Sequence, residues 1–107
     1  MLEKEIEGLA RKRLAALGGK LYKTVSPGCN GFPDRMAAHA GAGVWFMEFK
    51  APGKKASPLQ RAIGNELAEM GQRVYLDVDS VKKAYEIIDD EVHQRERRHP
   101  ICTGLNL

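Results

Sequence analysis

The chain has 107 residues, of which 43% are hydrophobic and 29% charged, and its 17 Lys and Arg outnumber its 14 Asp and Glu. This length suits one domain with one core, and the plentiful apolar residues exclude a wholly disordered chain. Apolar runs fall short of a membrane span, the first residues lack a signal segment, and two cysteines are too few for a disulfide scaffold. We therefore expect a reduced, cytoplasmic protein without a membrane partner, while the net charge of +3 permits a polyanionic one.

The beginning of the chain predicts a helix followed by a strand. Residues 2–17 predict the helix because apolar side chains recur at helical spacing and Gly18 is a natural C-terminal cap. The apolar stripe consists of Ile6, Leu9, Ala10, Leu14 and Leu17. Leu21–Val25 predicts the strand, and the turn-forming residues 26–31 predict a loop after it.

Two segments on either side of a glycine-containing turn predict an antiparallel hairpin. They span residues 35–40 and 44–50. The second segment is apolar on both faces until Glu48, which is typical of a central strand that is covered on both sides.

The second half of the chain predicts a helix, a strand and a helix. Ser57-Pro58 is typical of a helix N-terminus. The apolar stripe of that helix consists of Leu59, Ile63, Leu67 and Met70. Val74–Val78 predicts the strand, and Asp79-Ser80 can cap a last helix. The order α-β-β-β-α-β-α predicts an α/β fold, with one domain over residues 1–92 and a charged tail over residues 93–107.

Glu48 and Lys50 carry opposite charges in the most apolar predicted strand. Side chains alternate along a strand, so Glu48 and Lys50 project from one face while Phe49 points the other way. Buried charges are costly unless they are paired or functional. The alternative to a functional pair is a simple ion pair at a strand end.

Asp34 follows a glycine-rich loop and opens the predicted hairpin. Because a hairpin of this length returns the chain to its starting end, Asp34 and Glu48 can converge. Two carboxylates at one point favour a hard divalent cation such as Mg²⁺ or Mn²⁺. The alternative is ordinary turn chemistry, since aspartate after proline is common in turns.

Together, Asp34, Glu48 and Lys50 form a pattern suited to metal-assisted phosphodiester hydrolysis. A metal ion polarises a phosphoryl oxygen and lowers the pKa of a bound water. A lysine can position that water, help to deprotonate it, and offset developing negative charge.

These residues resemble the signature of the VRR-NUC family within the PD-(D/E)xK nuclease superfamily. The resemblance covers roughly residues 3–88 and is to the small stand-alone domains of phages and bacteria. The matching segments are Gly18-Gly19, Ser26-Pro27-Gly28, Gly31-Phe32-Pro33-Asp34-Arg35, Glu48-Phe49-Lys50-Ala51-Pro52-Gly53 and Ser57-Pro58-Leu59-Gln60. It implies a restriction-endonuclease-like mixed β-sheet flanked by helices.

The resemblance also implies a role for each residue of the site. Asp34 and Glu48 would bind Mg²⁺ or Mn²⁺, and the backbone carbonyl of Phe49 would be a further metal ligand. Lys50 would be the catalytic lysine. Gln60, early on the following helix, would accompany the site, although a solvated glutamine in a first helical turn is the alternative.

The first helix is expected to contribute one more acidic ligand. Helical projection places Glu3 inside the apolar stripe and Glu7 at its edge, whereas Glu5 points away. Acidic residues also occur near helix N-termini because of the helix dipole, which would apply to Glu5 as well. Glu3 and Glu7 both remain candidates, with Glu3 slightly favoured by its facing and by the family pattern.

Basic residues are expected around the acidic site and predict contacts with DNA phosphates. The side chains proposed for this role are Lys23, Arg35, Lys54, Lys55 and Arg61. The loop that begins at Ser26 can bring backbone N–H groups near a phosphate. A solvated basic face and an ordinary turn are the alternatives.

The sequence thus predicts a metal-dependent, structure-selective endodeoxyribonuclease. Stand-alone members of the family resemble Holliday-junction resolvases, so the resemblance implies branched DNA as the substrate and a homodimer that pairs two sites. Three alternatives remain open. The first is a flap, single-strand or nicking nuclease with the same site, the second is a non-catalytic DNA-binding module, and the third is a small protein-interaction domain.

Overall fold

The computed structural model describes residues 1–93 of the chain. Its elements in chain order are α1 (Glu3–Ala16), β1 (Lys20–Lys23), β2 (Arg35–His39), β3 (Gly43–Phe49), α2 (Pro58–Glu69), β4 (Val74–Val78) and α3 (Val81–His93). The predicted order α-β-β-β-α-β-α is therefore confirmed. Helix α3 ends on the first residue of the predicted tail, and the rest of that tail lies outside the described residues.

The strands form one mixed sheet in the order β1-β2-β3-β4. The β1–β2 and β2–β3 pairs are antiparallel, which confirms the predicted hairpin, and the β3–β4 pair is parallel. Antiparallel neighbours can be joined by a short turn, whereas a parallel pair needs a longer crossover connection, which here contains α2. Strand β3 is consequently an inner strand, as its apolar sequence predicts.

Helices α1 and α3 pack together over one face of the sheet and enclose the core. The buried side chains of the helices are Ile6, Ala10, Leu14, Ala84 and Ile88. Alternate residues of β3 meet them from the sheet, namely Trp45, Met47 and Phe49. Because these three positions face the helices, Glu48 and Lys50 are left to the opposite face.

The opposite face is covered less completely than the sequence predicts. Gly64 is the buried residue of α2, and a Cβ there would lie 3.0 Å from Leu76, so the absent side chain lets α2 approach β4 closely. The predicted packing of the whole apolar stripe of α2 is wrong at its ends, where Leu59 is 50% and Met70 63% exposed. Coverage of β3 on this face is incomplete at the start of the strand, where Val44 is 40% exposed, although Glu48 farther along the same face is 4% exposed.

Strand β1 ends two residues earlier than predicted, and this early end shapes the loop before the site. Val25 lies outside the strand and is 78% exposed. Before it, the Thr24 hydroxyl donates to the carbonyl of Pro33, and the Thr24 amide donates to the carbonyl of Asp34 at 3.0 Å. The two ends of the loop are thereby joined just where the chain enters β2.

A buried carboxylate that sequence reasoning missed secures the C-terminal end of α3. Glu91 is 1% exposed, and both of its oxygens accept hydrogen bonds from Nε of Arg73 at 2.9 Å. The Tyr75 hydroxyl donates to the same carboxylate at 2.5 Å. The three residues are far apart in sequence, so no local pattern indicates their contact.

None of the helices within residues 1–93 has the length and apolar character required to cross a bilayer.

Candidate functional site

Asp34 and Glu48 meet where β2 begins and β3 ends. Arg35 pairs with Met47 in the antiparallel register, which places the residues flanking that pair side by side. The backbone amide of Asp34 donates a hydrogen bond to Oε1 of Glu48 at 3.1 Å. The convergence that the hairpin predicts is therefore present, and it brings two carboxylates to one end of the sheet.

The carboxyl group of Glu48 is buried, and burial disfavours its charged form. The residue is 4% exposed. Burial, together with the negative charges of Asp34 and Glu3, raises the pKa of Glu48 to about 7, against the opposing effects of the Asp34 amide and Lys50. Near neutral pH the carboxyl group is thus poised between its protonated and charged forms. A cation beside it would favour the charged form.

Asp34 has one oxygen that lacks a partner. Its Oδ1 is buried and accepts no hydrogen bond within the described part of the chain, whereas Oδ2 lies 3.5 Å from Nη1 of Arg35. Burial raises the pKa of the Asp34 carboxyl, and Arg35 opposes that rise. Buried polar atoms normally have a partner, so Oδ1 is a free ligand position at the site.

Lys50 and Gln60 both approach the second oxygen of Glu48. The Lys50 ammonium lies 3.8 Å from Oε2, and its side chain is 19% exposed. The Gln60 side-chain amide donates to the same oxygen at 3.2 Å. Both residues predicted for the site by their sequence positions are therefore beside Glu48.

The N-terminus of α2 fixes which end of the Gln60 amide faces Glu48. Oε1 of Gln60 accepts a hydrogen bond from the Ser57 amide at 2.8 Å, and Oγ of Ser57 accepts one from the Gln60 amide at 3.1 Å. This reciprocal pair is a capping box. Because Oε1 is occupied by Ser57, the NH₂ group is the part of Gln60 that reaches Glu48.

Phe49 lies between Glu48 and Lys50 in β3, and its side chain is 1% exposed in the core on the other face. Its ring therefore anchors the strand that carries the two charged residues. The ligand role of its carbonyl stays a prediction.

The two acidic candidates of α1 differ in their surroundings. Glu3 is exposed, so the expected core-facing position is wrong: it lies in the first turn, and burial on α1 begins at Ile6. Glu7 is held by Arg35 at 3.4 Å and by Arg11 at 3.7 Å. The negative charge of Glu3 nevertheless raises the pKa of Glu48, and the negative charge of Glu7 raises the pKa of Asp34.

The choice between Glu3 and Glu7 thus remains a prediction. Within residues 1–93, no group of three or more His, Cys, Asp or Glu residues is arranged to hold a metal ion. The site brought together by the fold is a pair of carboxylates, with the acids of α1 near it rather than in it.

The residues expected to contact phosphates fall into two classes. Three of them are the exposed lysines Lys23, Lys54 and Lys55, whose side chains make no hydrogen bond or ion pair with the other residues of the range 1–93. The arginines are already engaged, Arg35 by Glu7 and Asp34, and Arg61 by Asp77 at 2.9 Å. Ser26 is partly exposed, and its carbonyl accepts from the Cys29 amide at 3.0 Å.

Sequence reasoning missed two aspartates that organise the loop carrying Lys54 and Lys55. Asp77 accepts from the Ala56 amide at 2.6 Å, and Asp79 accepts from the Gly53 amide at 3.3 Å. The sequence predicts Asp79 only as a possible cap of the last helix. Ser80 fills that role, since its Oγ accepts a hydrogen bond from the Lys83 amide at 3.1 Å. The available signal was the position of these acidic residues at the end of β4. Because adjacent parallel strands end at the same edge of the sheet, residues at the end of β4 lie near the loop that follows β3.

Comparisons with known proteins point to one family. Over 73 residues the chain is 40% identical to "Putative nuclease p44" of Acyrthosiphon pisum secondary endosymbiont phage 1, a match that covers 68% of this chain and 74% of that protein. A solved structure described as a VRR_NUC domain has a TM-score of 0.73 and 28% identity, and the match covers 81% of this chain and 94% of that one. No family model matches the sequence.

Proposed function

Because this chain belongs to the VRR-NUC family of nucleases, we propose that it is an Mg²⁺- or Mn²⁺-dependent endonuclease that hydrolyses phosphodiester bonds in DNA. The observation that carries the proposal is the pairing of Asp34 with Glu48. Oδ1 of Asp34 is buried without a partner, and the Glu48 carboxyl next to it has a pKa raised to about 7 by burial. Both facts are expected of a site that gains stability when a cation binds.

The donor set suits a hard divalent cation. Asp34 and Glu48 would hold it through carboxylate oxygens, together with the carbonyl of Phe49 and the carboxylate of Glu3 or Glu7. When bound, such a cation polarises the scissile phosphate and makes a nearby water more acidic. The remaining groups needed for hydrolysis come from the chain itself.

Lys50 is the residue placed to act on the attacking water. Its ammonium group reaches the Glu48 carboxylate while its side chain stays partly exposed, so it can orient a water and offset charge on the phosphate. Gln60 donates to the same carboxylate and so keeps Glu48 in one orientation. Without that contact, the Asp34 amide and Lys50 would be the groups left to hold the Glu48 carboxylate.

The exposed lysines are suited to binding the phosphates on either side of the scissile bond. Lys23 lies at the end of β1, and Lys54 and Lys55 lie in the loop between β3 and α2. Ser26, Arg35 and Arg61 would add contacts at the edges of this surface, the two arginines through guanidinium N–H groups that do not face their carboxylate partners. Contacts of this kind give affinity without reading sequence.

We further propose branched DNA, and in particular a four-way junction, as the substrate of a homodimer. A symmetric junction presents two equivalent strands, and a two-fold dimer presents two equivalent sites.

The test is cleavage of an immobile four-way junction beside flap, single-stranded, nicked and linear duplex DNA, with Mg²⁺ or Mn²⁺. The wild type is expected to cut the junction, whereas Asp34→Asn should cut nothing and Lys50→Ala should be slowed by at least roughly 10²-fold, to below detection in this assay. Both variants should keep a native circular dichroism spectrum. If the protein cuts flap or nicked DNA faster than the junction, that structure takes the place of the junction as its substrate. Binding without cleavage of any of these DNAs would contradict the enzyme and leave a DNA-binding module.

A further inference from the structure

Asp77 is unusual in its backbone conformation. Its φ is +57°, and it is the one non-glycine residue among residues 1–93 with a positive φ. Residues with a Cβ seldom adopt this left-handed region, although Asp and Asn tolerate it better than others. A glycine at this position would remove the strain, so the presence of aspartate directs attention to its carboxylate.

The conformation accompanies an irregularity in the pairing of β3 with β4. Met47 pairs with Tyr75, whereas Phe49 pairs with Val78, so two steps along β3 correspond to three along β4. The extra residue of β4 lies opposite Glu48. A bulge of this kind changes the direction of the side chains it contains, and such bulges are common beside active sites.

The re-aimed side chain of Asp77 contacts the N-terminal part of α2 at two points. Oδ1 accepts a hydrogen bond from the Ala56 amide at 2.6 Å, and Oδ2 lies 2.9 Å from Nη2 of Arg61. The Asp77 side chain is 17% exposed, so both contacts are partly shielded from water. The Ala56 amide is also the main reason why the pKa of Asp77 lies below its ordinary value.

These two contacts lie on either side of the capping box. Ala56 precedes Ser57, and Arg61 follows Gln60. The segment from which Gln60 donates to Glu48 is therefore fastened to β4 at both of its ends. The same strand pairs with β3, so the position of Gln60 relative to Glu48 is set through Asp77.

We propose that Asp77 is a positioning residue, which holds the N-terminus of α2 on the bulge of β4 so that the Gln60 amide stays against Oε2 of Glu48. This inference rests on the proposed function, since it assigns Asp77 a part in the same site. It does not place Asp77 in contact with substrate or metal.

The test compares Asp77→Gly with Asp77→Asn and Gln60→Ala in single-turnover cleavage. Glycine suits the left-handed backbone but lacks the carboxylate, so we expect the cleavage rate to fall roughly 10- to 100-fold with little change in DNA affinity. Asp77→Asn keeps an acceptor for the Ala56 amide, so its cleavage rate should fall less than that of Asp77→Gly. Because Asp77 acts through Gln60, the double variant Asp77→Gly/Gln60→Ala should be no slower than Gln60→Ala.

A matched control removes a similar ion pair elsewhere. Asp89 accepts two hydrogen bonds from Arg13, at 2.8 and 3.1 Å, between α1 and α3. Asp89→Asn should leave the cleavage rate at its wild-type value. Equal losses for Asp89→Asn and Asp77→Gly would show a general effect on folding, and multiplied losses in the double variant would show that Asp77 acts independently of Gln60. Either result would overturn the proposal.

A second readout does not depend on cleavage. In the metal-free protein, Asp77→Gly should speed hydrogen exchange at the Ala56 amide and shift the NMR signals of the Gln60 side-chain NH₂, whereas Asp89→Asn should do neither. Unchanged Gln60 signals in Asp77→Gly would overturn the positioning role. A wild type that cuts no DNA would instead overturn the proposed function, with the NMR comparison still deciding the role of Asp77.

Discussion

The backbone amide of Asp34 donates a hydrogen bond to Oε1 of Glu48, and through it the start of β2 is joined to the end of β3. The bond leaves the Asp34 side chain free to lie beside Glu48, with Oδ1 buried and without a partner in the described chain. The backbone thus supports an arrangement that the two negative charges oppose.

Replacing Asp34 by asparagine should stabilise the metal-free protein and abolish its activity. Burial raises the pKa of the Asp34 carboxyl, so its ionised form is disfavoured in the folded, metal-free protein. Asp34→Asn should abolish cleavage and raise the free energy of unfolding at pH 8 by roughly 0.5 kcal/mol, a modest value because the side chain is 36% exposed. Chemical denaturation in EDTA measures it.

The control for that variant is Asp89→Asn, which removes the exposed ion pair with Arg13. It should not stabilise the protein and should leave cleavage intact. A destabilised Asp34→Asn would contradict the idea that burial disfavours the ionised Asp34 carboxyl in the metal-free protein.

Stability of the metal-free protein should depend on the protonation of Glu48. Burial raises its pKa from an ordinary value of 4.5 to about 7 in the folded state, so the folded chain binds more protons than the unfolded chain between these values. The free energy of unfolding should therefore fall as the pH rises from about 4.5 to about 7. Urea titrations in EDTA across this range measure the slope.

Glu48→Gln should remove most of that slope, whereas Glu66→Gln, on the exposed surface of α2, should keep it. Saturating Mn²⁺ should also weaken it, because the metal competes with the proton for the carboxylate. An identical slope in wild type and Glu48→Gln would show that another group titrates.

Lys50→Ala should affect the chemical step rather than binding. Removal of a group that acts on the attacking water costs roughly 10²- to 10⁴-fold in rate. DNA affinity in Ca²⁺, measured by fluorescence anisotropy, should change little because the phosphate contacts are proposed to come from the exposed lysines. Lys82→Ala, an exposed lysine on α3, is the matched control and should cut normally. A loss confined to affinity would place Lys50 in binding instead.

Gln60→Glu distinguishes the helix-capping role of Gln60 from its contact with Glu48. Glutamate completes a capping box as well as glutamine does, so the stability of α2 should be kept. The new carboxylate would face Oε2 of Glu48 in place of an NH₂ group, so the cleavage rate should fall at least as far as in Gln60→Ala. Wild-type cleavage by Gln60→Glu would contradict a contact that matters for Glu48.

Lys54→Ala and Lys55→Ala should weaken DNA binding without lowering the rate at which bound DNA is cleaved. Each lysine that binds a phosphate contributes close to one unit to the slope of log affinity against log salt. Anisotropy titrations at several salt concentrations, in the inactive Lys50→Ala background, should show the slope reduced by roughly 0.9 for each lysine lost. An unchanged slope would place that lysine away from the phosphates.

The order of elements could be predicted because its signals are local. Ser57-Pro58 marks the start of α2, and the glycine turn at residues 41–43 marks the hairpin. Convergence of Asp34 with Glu48 followed from the hairpin itself, since antiparallel pairing returns the chain to its start. Lys50 beside Glu48 followed from strand alternation.

What could not be predicted depends on contacts between distant segments. The exposure of Leu59 and Met70 follows from where α2 rests on β4, a position set by Gly64 and Leu76. The role of Asp77 depends on a bulge that pairing with β3 creates, and the bulge itself has no signal within the sequence of β4. Helical projection also misplaced Glu3, because it assumes that the packed face extends through the first turn.

The most direct test of the central claim is cleavage of an end-labelled four-way junction with Mn²⁺ present or removed by EDTA, for wild type and Glu48→Gln side by side. The proposed site predicts cutting by the wild type with Mn²⁺ and none in the other three reactions. Cutting in EDTA would contradict the metal requirement, and cutting by Glu48→Gln at the wild-type rate would contradict the site.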